Sequence, residues 1–355
     1  MSAPATMTAV LLTGHGGYDK LSVRDDVRVP NPGPGEALVR VTAAGVNNTD
    51  INTRVGWYSK SVTGATDERD GAEEVEDGGW AGALAFPRIQ GADLCGEVAA
   101  LGPGAGGVRL GARVTCATNQ PIPTPDAPTR YQAIGSEYDG AFAQYCVVPA
   151  DQLFDVSASP LSDVEIAAMP CAYGTAMNLV SRAAIGPGDR VLITGASGGV
   201  GLAAVALAAL RGAEVTGVAS AAKQAAVVAA GAVRCLDRQD TPPAGVFTAA
   251  LDLVGGPGWA GVIDALAPGG RYAASGAIGG PVVEMDLRTL YLRDLTLFGC
   301  TYTPKSVFRE LVDLINAGGL RPNVACTYPL AEIVAAQKAF QEKTTSGKIV
   351  LLPPA

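Results

Sequence analysis

The chain is 355 residues long and 48% apolar, with 45 glycines, 24 prolines and a formal charge of −8. That is apolar material for about two packed domains, and the acidity speaks against a nucleic-acid partner, since nothing here neutralises phosphates along a strand. MSAPATMTAVLLTGHGG has no basic start followed by a long apolar run, Leu202 to Leu210 is far short of a membrane span, and seven scattered cysteines form no C-x-x-C pair. Together these read as a cytoplasmic protein with reduced thiols and no membrane segment.

In chain order, the first 150 residues read as short strands: AVLL, EALVRV (36–41), GEVAAL (96–101), ARVTC (112–116) and FAQYCVV (142–148). PNPGPGE, GPGAGG and PIPTPDAP punctuate them, which predicts a small irregular β-barrel or sandwich. The only histidine, His15, lies in TGHGGYD and reads as a turn residue. Its solitude removes Ser-His-Asp and Cys-His chemistry unless it is the base, and removes multi-histidine metal sites. AGVNNTDINTRVGWY (44–58) gathers two asparagines, a carboxylate, an arginine and a Trp-Tyr pair. Asp50 and Arg54, four apart, are placed for a supporting ion pair. The acidic run TGATDERDGAEEVEDGG (63–79) that ends at Trp80 reads as a solvated loop or, leaving directly from Tyr58, as a lid.

From Asp163 the pattern is helical, capped or kinked at Pro170. Strands and helices then alternate: RVLIT (190–194), VGLAAVALAALRG, EVTGVA (214–219), KQAAVVAAGA, RCL, AALDLV (249–254), WAGVIDAL, GRYAAS (270–275) and LTLFG (295–299). That alternation predicts a parallel sheet covered on both faces. The division expected is 1–157, 158–300, and a tail, 301–355, that returns to the first domain through helices near 306–317 and 330–342 and the strand KIVLL.

RVLITGASGGVGLAAVALAALRG is the strongest signal. Gly195, Ala196, Ser197, Gly198, Gly199, Val200 and Gly201 lie between an apolar strand and a helix, where missing Cβ atoms let a pyrophosphate approach amide N–H groups. The second strand ends Gly217-Val218-Ala219-Ser220 without an acid, and Lys223 and Arg238 follow. A carboxylate there would repel a 2′-phosphate, so Ser220, Lys223 and Arg238 point to NADPH. Val254 and Gly255, Ser275 and Gly276, and Phe298, Gly299 and Cys300 end the later parallel strands and are candidates for the nicotinamide wall.

Barrel first, nucleotide fold second and a returning tail resemble the medium-chain dehydrogenase/reductase superfamily over the whole length. VPNPGPGEALVRV, AGVNNTD, QGADLCGEVAALGPG, LGARV, ITGASGGVG and GKIVLL carry the match. The resemblance implies a GroES-like barrel completed by the C-terminal segment, plus a Rossmann doubly wound α/β domain. Zinc alcohol dehydrogenases of this superfamily carry Cys-His where this chain has Asn47-Asn48 and His-Glu where it has Ala92-Asp93; their third ligand matches Cys171. One thiolate and one carboxylate without imidazole cannot make the expected tetrahedron, so no metal is expected and Cys171 reads as a packed thiol.

The zinc-free branch is resembled through two families. NADPH quinone oxidoreductases share Asn47, Asp50, Arg54 and Tyr58; 2-enoyl thioester reductases share Asn47, Asp50-Ile51-Asn52 and Tyr58, the tyrosine being the proposed proton donor. The resemblance implies Asn47 beside the nicotinamide, Thr175 on the nicotinamide side and Lys348 near the cofactor. The function expected is hydride transfer from NADPH to a small-molecule quinone or α,β-unsaturated acceptor, with Tyr58 as acid. A metal-free alcohol or aldehyde dehydrogenase and a non-catalytic NADPH-binding protein are the alternatives. Pairing of the sixth strand across a two-fold axis, as in similar proteins, implies a homodimer.

Overall fold

A computed structural model describes residues 3–66, 75, 77–80, 82–343 and 346–355. The chain divides into two compact units: Met1–Val62, Arg69–Gly174 and Pro304–Ala355 form one, and Thr63–Glu68 with Thr175–Thr303 form the other. The sequence placed the changeover near 158; it falls instead inside the helix Pro170–Arg182. The first turn of that helix is tied to the first unit, with the Tyr173 hydroxyl donating to the Arg321 carbonyl and the Cys171 N–H to Asp93. Pro170 starts this helix rather than kinking one, because the preceding helix, Asp163–Ala167, has already ended.

The first unit is built on a seven-stranded sheet. Its long strand Glu36–Val46 pairs antiparallel with Cys95–Leu101 and, at its other edge, with Tyr145–Pro149 and then Lys348–Leu352. Most of that strand is buried, with only Arg40 exposed, so it lies at the centre of the sheet. The C-terminal segment therefore completes the sheet, with Val324–Pro329 parallel to Lys348–Leu352. Phe308, on helix Lys305–Ala317, packs at 5.1 Å on Phe154, and both rings are fully buried. The strand Leu21–Arg28 escaped the sequence reading, since LSVRDDVR is mostly exposed and Asp25 interrupts the face on which Leu21 and Val27 pack against the core.

The second unit is a six-stranded, all-parallel sheet in the order Arg234–Leu236, Glu214–Val218, Arg190–Ile193, Phe247–Asp252, Leu266–Ala274, Thr296–Gly299. Its central strands are buried on both faces, as the unbroken apolar runs require. The order reverses direction at Arg190–Ile193, the topological switch at which such sheets bind ligands beyond their strand ends. No helix among the described residues is long and apolar enough to cross a membrane.

Candidate active site

In the first unit the sheet register assembles a buried polar cluster. Ile349 lies opposite Val46, so Lys348 emerges beside Asn47, 301 residues away in sequence. Asn47 precedes the helix Asn48–Arg54, and Asp50 reaches back to accept the Asn47 backbone N–H at 2.8 Å; its other oxygen accepts from Ala92 N–H at 3.3 Å. Asp93 is wholly buried and accepts three bonds: Cys171 N–H at 2.5 Å, Asn47 Nδ2 at 2.9 Å and Lys348 Nζ at 3.0 Å. The Lys348 ammonium also donates to the Val46 carbonyl at 3.1 Å and to Asn47 Oδ1. Gly45 is required here: a Cβ would lie 2.6 Å from the Ala167 carbonyl oxygen and closer still to Asp93 Oδ2.

Buried charge survives only when paired and bonded, and the cluster meets that condition for Asp93 and Lys348. Asp50 is less well served. Burial first, and the neighbouring Asp93 second, push its carboxyl up to about 7 against the pull of the Asn47 N–H, Lys348 and the Ala92 N–H. Burial, with Asp93 next, drives the Cys171 thiol well above its usual range.

Tyr58 belongs to the same unit. Its hydroxyl donates to Thr49 Oγ1 at 3.2 Å, and its ring stacks on Trp80 at 5.9 Å and 7° while meeting Trp57 edge-on. Burial pushes the phenol up to about 12, against hydrogen bonds from Thr49 and Asn52 that favour the anion. Among the described residues Asn52 Oδ1 is buried without a hydrogen-bond partner, an open acceptor on a residue that favours the phenolate. Sequence reasoning passed over Thr49 and Trp80. The signal for Thr49 was available, since a hydroxyl in the first turn after Asn47 faces the same side as residues three and four further on.

Three expectations change. Asn47 has both amide protons committed, to Asp93 and to the Gly45 carbonyl, so it holds the cluster rather than offering a donor to a ligand. Lys348, assigned to the cofactor, has its three protons on Val46, Asn47 and Asp93, because its register points it into the barrel. Arg54 does not pair with Asp50. Asp50 turns back to the helix start, while Arg54 donates to Gln337 Oε1 at 3.0 Å and the Gly16 carbonyl at 2.7 Å and lies over the Tyr18 ring. His15 is a turn residue, its Nδ1 2.8 Å from the Thr53 carbonyl. The acidic run falls largely on 67–74 and 76, outside the described residues.

In the second unit, Arg190–Ile193 leads into Thr194 and the glycine loop, and the helix Gly199–Leu210 begins beyond it. Leu202 N–H makes the first bond back to Gly198, which leaves the N–H groups before it at the helix start for a ligand. A Cβ at Gly198 would meet only the Gly195 carbonyl at an ordinary 3.5 Å, whereas one at Gly201 would lie 2.7 Å from Ala196 backbone atoms. Gly201 thus serves packing, and the open face at Gly198 is a cradle that a side chain would fill. Asp252, at the end of Phe247–Asp252, accepts from Thr194 Oγ1 at 2.5 Å, Tyr272 OH at 2.7 Å, Val254 N–H at 2.9 Å and Gly255 N–H at 3.2 Å. It fastens the 253–255 turn beside the glycine loop. Ser275 Oγ donates to the Cys300 carbonyl at 2.8 Å, so Ser275 and Cys300 brace each other, with Gly276 and the strand Thr296–Gly299 adjoining.

Ser220, Lys223 and Arg238 flank the ends of two paired strands, Glu214–Val218 and Arg234–Leu236. Asp237, uncounted in the sequence reading, accepts the Ala221 N–H at 3.1 Å there. Thr175 is the half-buried position in the otherwise buried 171–180 stretch, one turn beyond Cys171.

Residues 33–158 match the alcohol dehydrogenase GroES-like domain and residues 220–351 the zinc-binding dehydrogenase domain. A crystal structure of a putative alcohol dehydrogenase from Sinorhizobium meliloti 1021 is similar with a TM-score of 0.86 and 39% identity, covering 99% of this chain and 98% of that one. This chain belongs to the medium-chain dehydrogenase/reductase superfamily. Among curated relatives, an acryloyl-coenzyme A reductase of Metallosphaera sedula is 27% identical over 97% of this chain and 99% of its own. Human quinone oxidoreductase is 26% identical, with 98% of each chain covered.

Oxidoreductases of this superfamily use a nicotinamide cofactor, and the open cradle at Gly198 fits one. The metal named in the second domain's description does not fit. Ala92 offers no donor atom, Asn47 is bonded at both ends of its amide, and the Lys348 ammonium is bonded to Asn47 and Asp93. Among the described residues no group of three His, Cys, Asp or Glu side chains is placed to hold a metal ion.

Proposed function

We propose that this protein is a metal-independent, NADPH-dependent reductase of activated double bonds, taking quinones or α,β-unsaturated carbonyl and enoyl thioester acceptors. The observation that carries the reading is the Tyr58 hydroxyl, kept protonated by burial and bonded to Thr49, in a unit where an ammonium stands in the metal's place. Without a Lewis acid, a plain alcohol or ketone lacks the polarisation it needs, whereas a conjugated acceptor delocalises its own charge. The acryloyl-coenzyme A reductase and quinone oxidoreductase relatives support the same class.

Bound reduced nicotinamide supplies the hydride. The chain's own contribution is positional and protonic. Tyr58 O–H delivers the proton to the oxyanion or α-carbon, and Thr49 and Asn52, bonded to the phenol, stabilise its oxygen as the proton leaves. Thr175 faces the nicotinamide. Ser197, Gly198, Gly199 and Val200 hold the pyrophosphate, with Gly201 packed on the buried Ala196; Val254, Gly276, Phe298 and Gly299 line the ring, braced by Asp252 and by the Ser275–Cys300 contact. Ser220, Lys223 and Arg238 take the 2′-phosphate, with Asp237 opposing it.

The six-stranded sheet ends at Thr296–Gly299, and Leu287, Tyr291 and Leu292 nearby are 61–70% exposed. An apolar surface beside an end strand supports a homodimer, which light scattering would report as twice the chain mass. Seven unpaired cysteines among the described residues are in keeping with a cytoplasmic setting.

The test is NADPH consumption against a panel of quinones, enones and enoyl thioesters in parallel with primary and secondary alcohols. The highest kcat/KM is expected with a conjugated acceptor. A higher value for oxidation of a plain alcohol would reject the proposal in favour of a dehydrogenase, and NADPH binding without turnover of any acceptor would leave a binding protein.

A further inference from the structure

We propose that Lys348 is a positioning residue: its buried ammonium takes over the metal's mechanical role, clamping Asn47 and Asp93 so that the helix bearing Thr49 and Asn52 presents Tyr58 correctly. The inference rests on the reductase reading above, and it concerns how that site is held.

The geometry is specific. Lys348 is 4% exposed, and each of its three protons has an acceptor: the Val46 carbonyl, Asn47 Oδ1 and Asp93 Oδ2. Asn47 is gripped at both ends of its amide, Oδ1 by Lys348 and Nδ2 by Asp93. Asn47 is also the residue on which the helix Asn48–Arg54 starts, and its backbone N–H is tied to Asp50. Thr49 follows two residues later and accepts the Tyr58 hydroxyl proton at 3.2 Å. A metal centre anchors the same chain segments through its ligands; here one ammonium reaches the segment at Val46–Asn47 and the one at Asp93, and Asp93 in turn reaches Cys171 through its N–H. Gly45 leaves the room that the Asp93 carboxylate needs. Asp93 and Lys348 neutralise each other, so removing either one strands the other as a buried charge, while removing both does not.

That asymmetry separates positioning from mere stability. Lys348→Met, Asp93→Asn, the double variant and Asn47→Ala are compared by melting temperature, NADPH affinity by fluorescence titration, and kcat on the best acceptor of the panel. Lys348→Met and Asp93→Asn are expected to melt well below wild type. The double variant is expected to recover at least half of that loss while kcat stays at least tenfold down and the NADPH Kd remains within threefold of wild type. Asn47→Ala leaves the Lys348–Asp93 pair in place and is expected to show the same fall in kcat at unchanged Kd. A double variant that regains wild-type kcat with its stability, or an Asn47→Ala protein with wild-type kcat, would overturn the proposal. Neither result touches the reductase reading, which the wild-type acceptor panel tests separately.

Discussion

Gly198 and Gly201 lie three residues apart in one loop, yet the structure gives them different jobs, and alanine tells them apart. At Gly198 the backbone is extended and an added Cβ meets nothing closer than the Gly195 carbonyl at 3.5 Å, ordinary van der Waals contact. Gly198→Ala should therefore fold normally and, by restricting the unfolded chain, gain up to about 0.5–1 kcal/mol. Bound cofactor changes the picture, since the methyl group occupies the approach of the pyrophosphate to the helix N–H groups. Losing one charge-assisted hydrogen bond costs about 1.5–3 kcal/mol, so the NADPH Kd should rise roughly ten- to hundredfold.

At Gly201 the Cβ lies 2.7 Å from two Ala196 backbone atoms, roughly an ångström inside contact, and backbone cannot swing aside as a side-chain tip can. Overpacking of this kind costs about 1–3 kcal/mol, and Gly201→Ala should lose stability without cofactor present. Thermal melts with and without NADPH, plus a fluorescence titration, read both effects. A Gly198→Ala protein that binds NADPH as well as wild type would refute the assignment of that face to the ligand. Equal destabilisation of the two apo-variants would refute the division of roles.

Tyr58→Phe keeps the stack on Trp80 and removes the hydroxyl with its bond to Thr49, so kcat should fall about 10²–10⁴-fold with NADPH affinity intact; an unchanged kcat would move the donor elsewhere. Because the phenol is pushed up to about 12, no loss of rate through Tyr58 ionisation is expected between pH 6 and pH 10 in a rate profile. Asp50 is raised from 3.8 to about 7, so the folded chain holds a proton that the unfolded chain has released, and stability falls as pH rises through that window. At ~1.4 kcal/mol per pH unit the loss from this group between pH 5 and pH 8 is about 3 kcal/mol; in urea melts Asp50→Asn should lack it, and a variant with wild-type pH dependence would contradict the assignment. Asp237→Ala should tighten NADPH relative to NADH, and Lys223→Ala should do the reverse; equal effects on both cofactors would remove these residues from the 2′-phosphate site.

The parallel sheet was legible because its strands are unbroken apolar runs set between helices, a pattern with one topological reading. The barrel strands came through where β-branched and apolar residues cluster, as in EALVRV, and failed at LSVRDDVR, whose charges cover an exposed edge. Tyr58 and the glycine loop were visible because their spacing is local. The Asn47–Asp93–Lys348 cluster was not, since it joins three segments through strand register, and a lysine directly before the chain's last apolar run does not by itself point to Asn47 or Asp93. Asp237 was missed for the same reason: it meets Ala221 across paired strands, and only the fold makes them neighbours.

The most direct measurement pairs metal analysis with turnover on one sample: protein dialysed against a strong chelator, its zinc content quantified, then assayed with NADPH and the preferred conjugated acceptor. Full activity at far below one zinc per chain is the expected result. Activity that disappears with the metal and returns on adding stoichiometric zinc would contradict an internal ammonium in the metal's place.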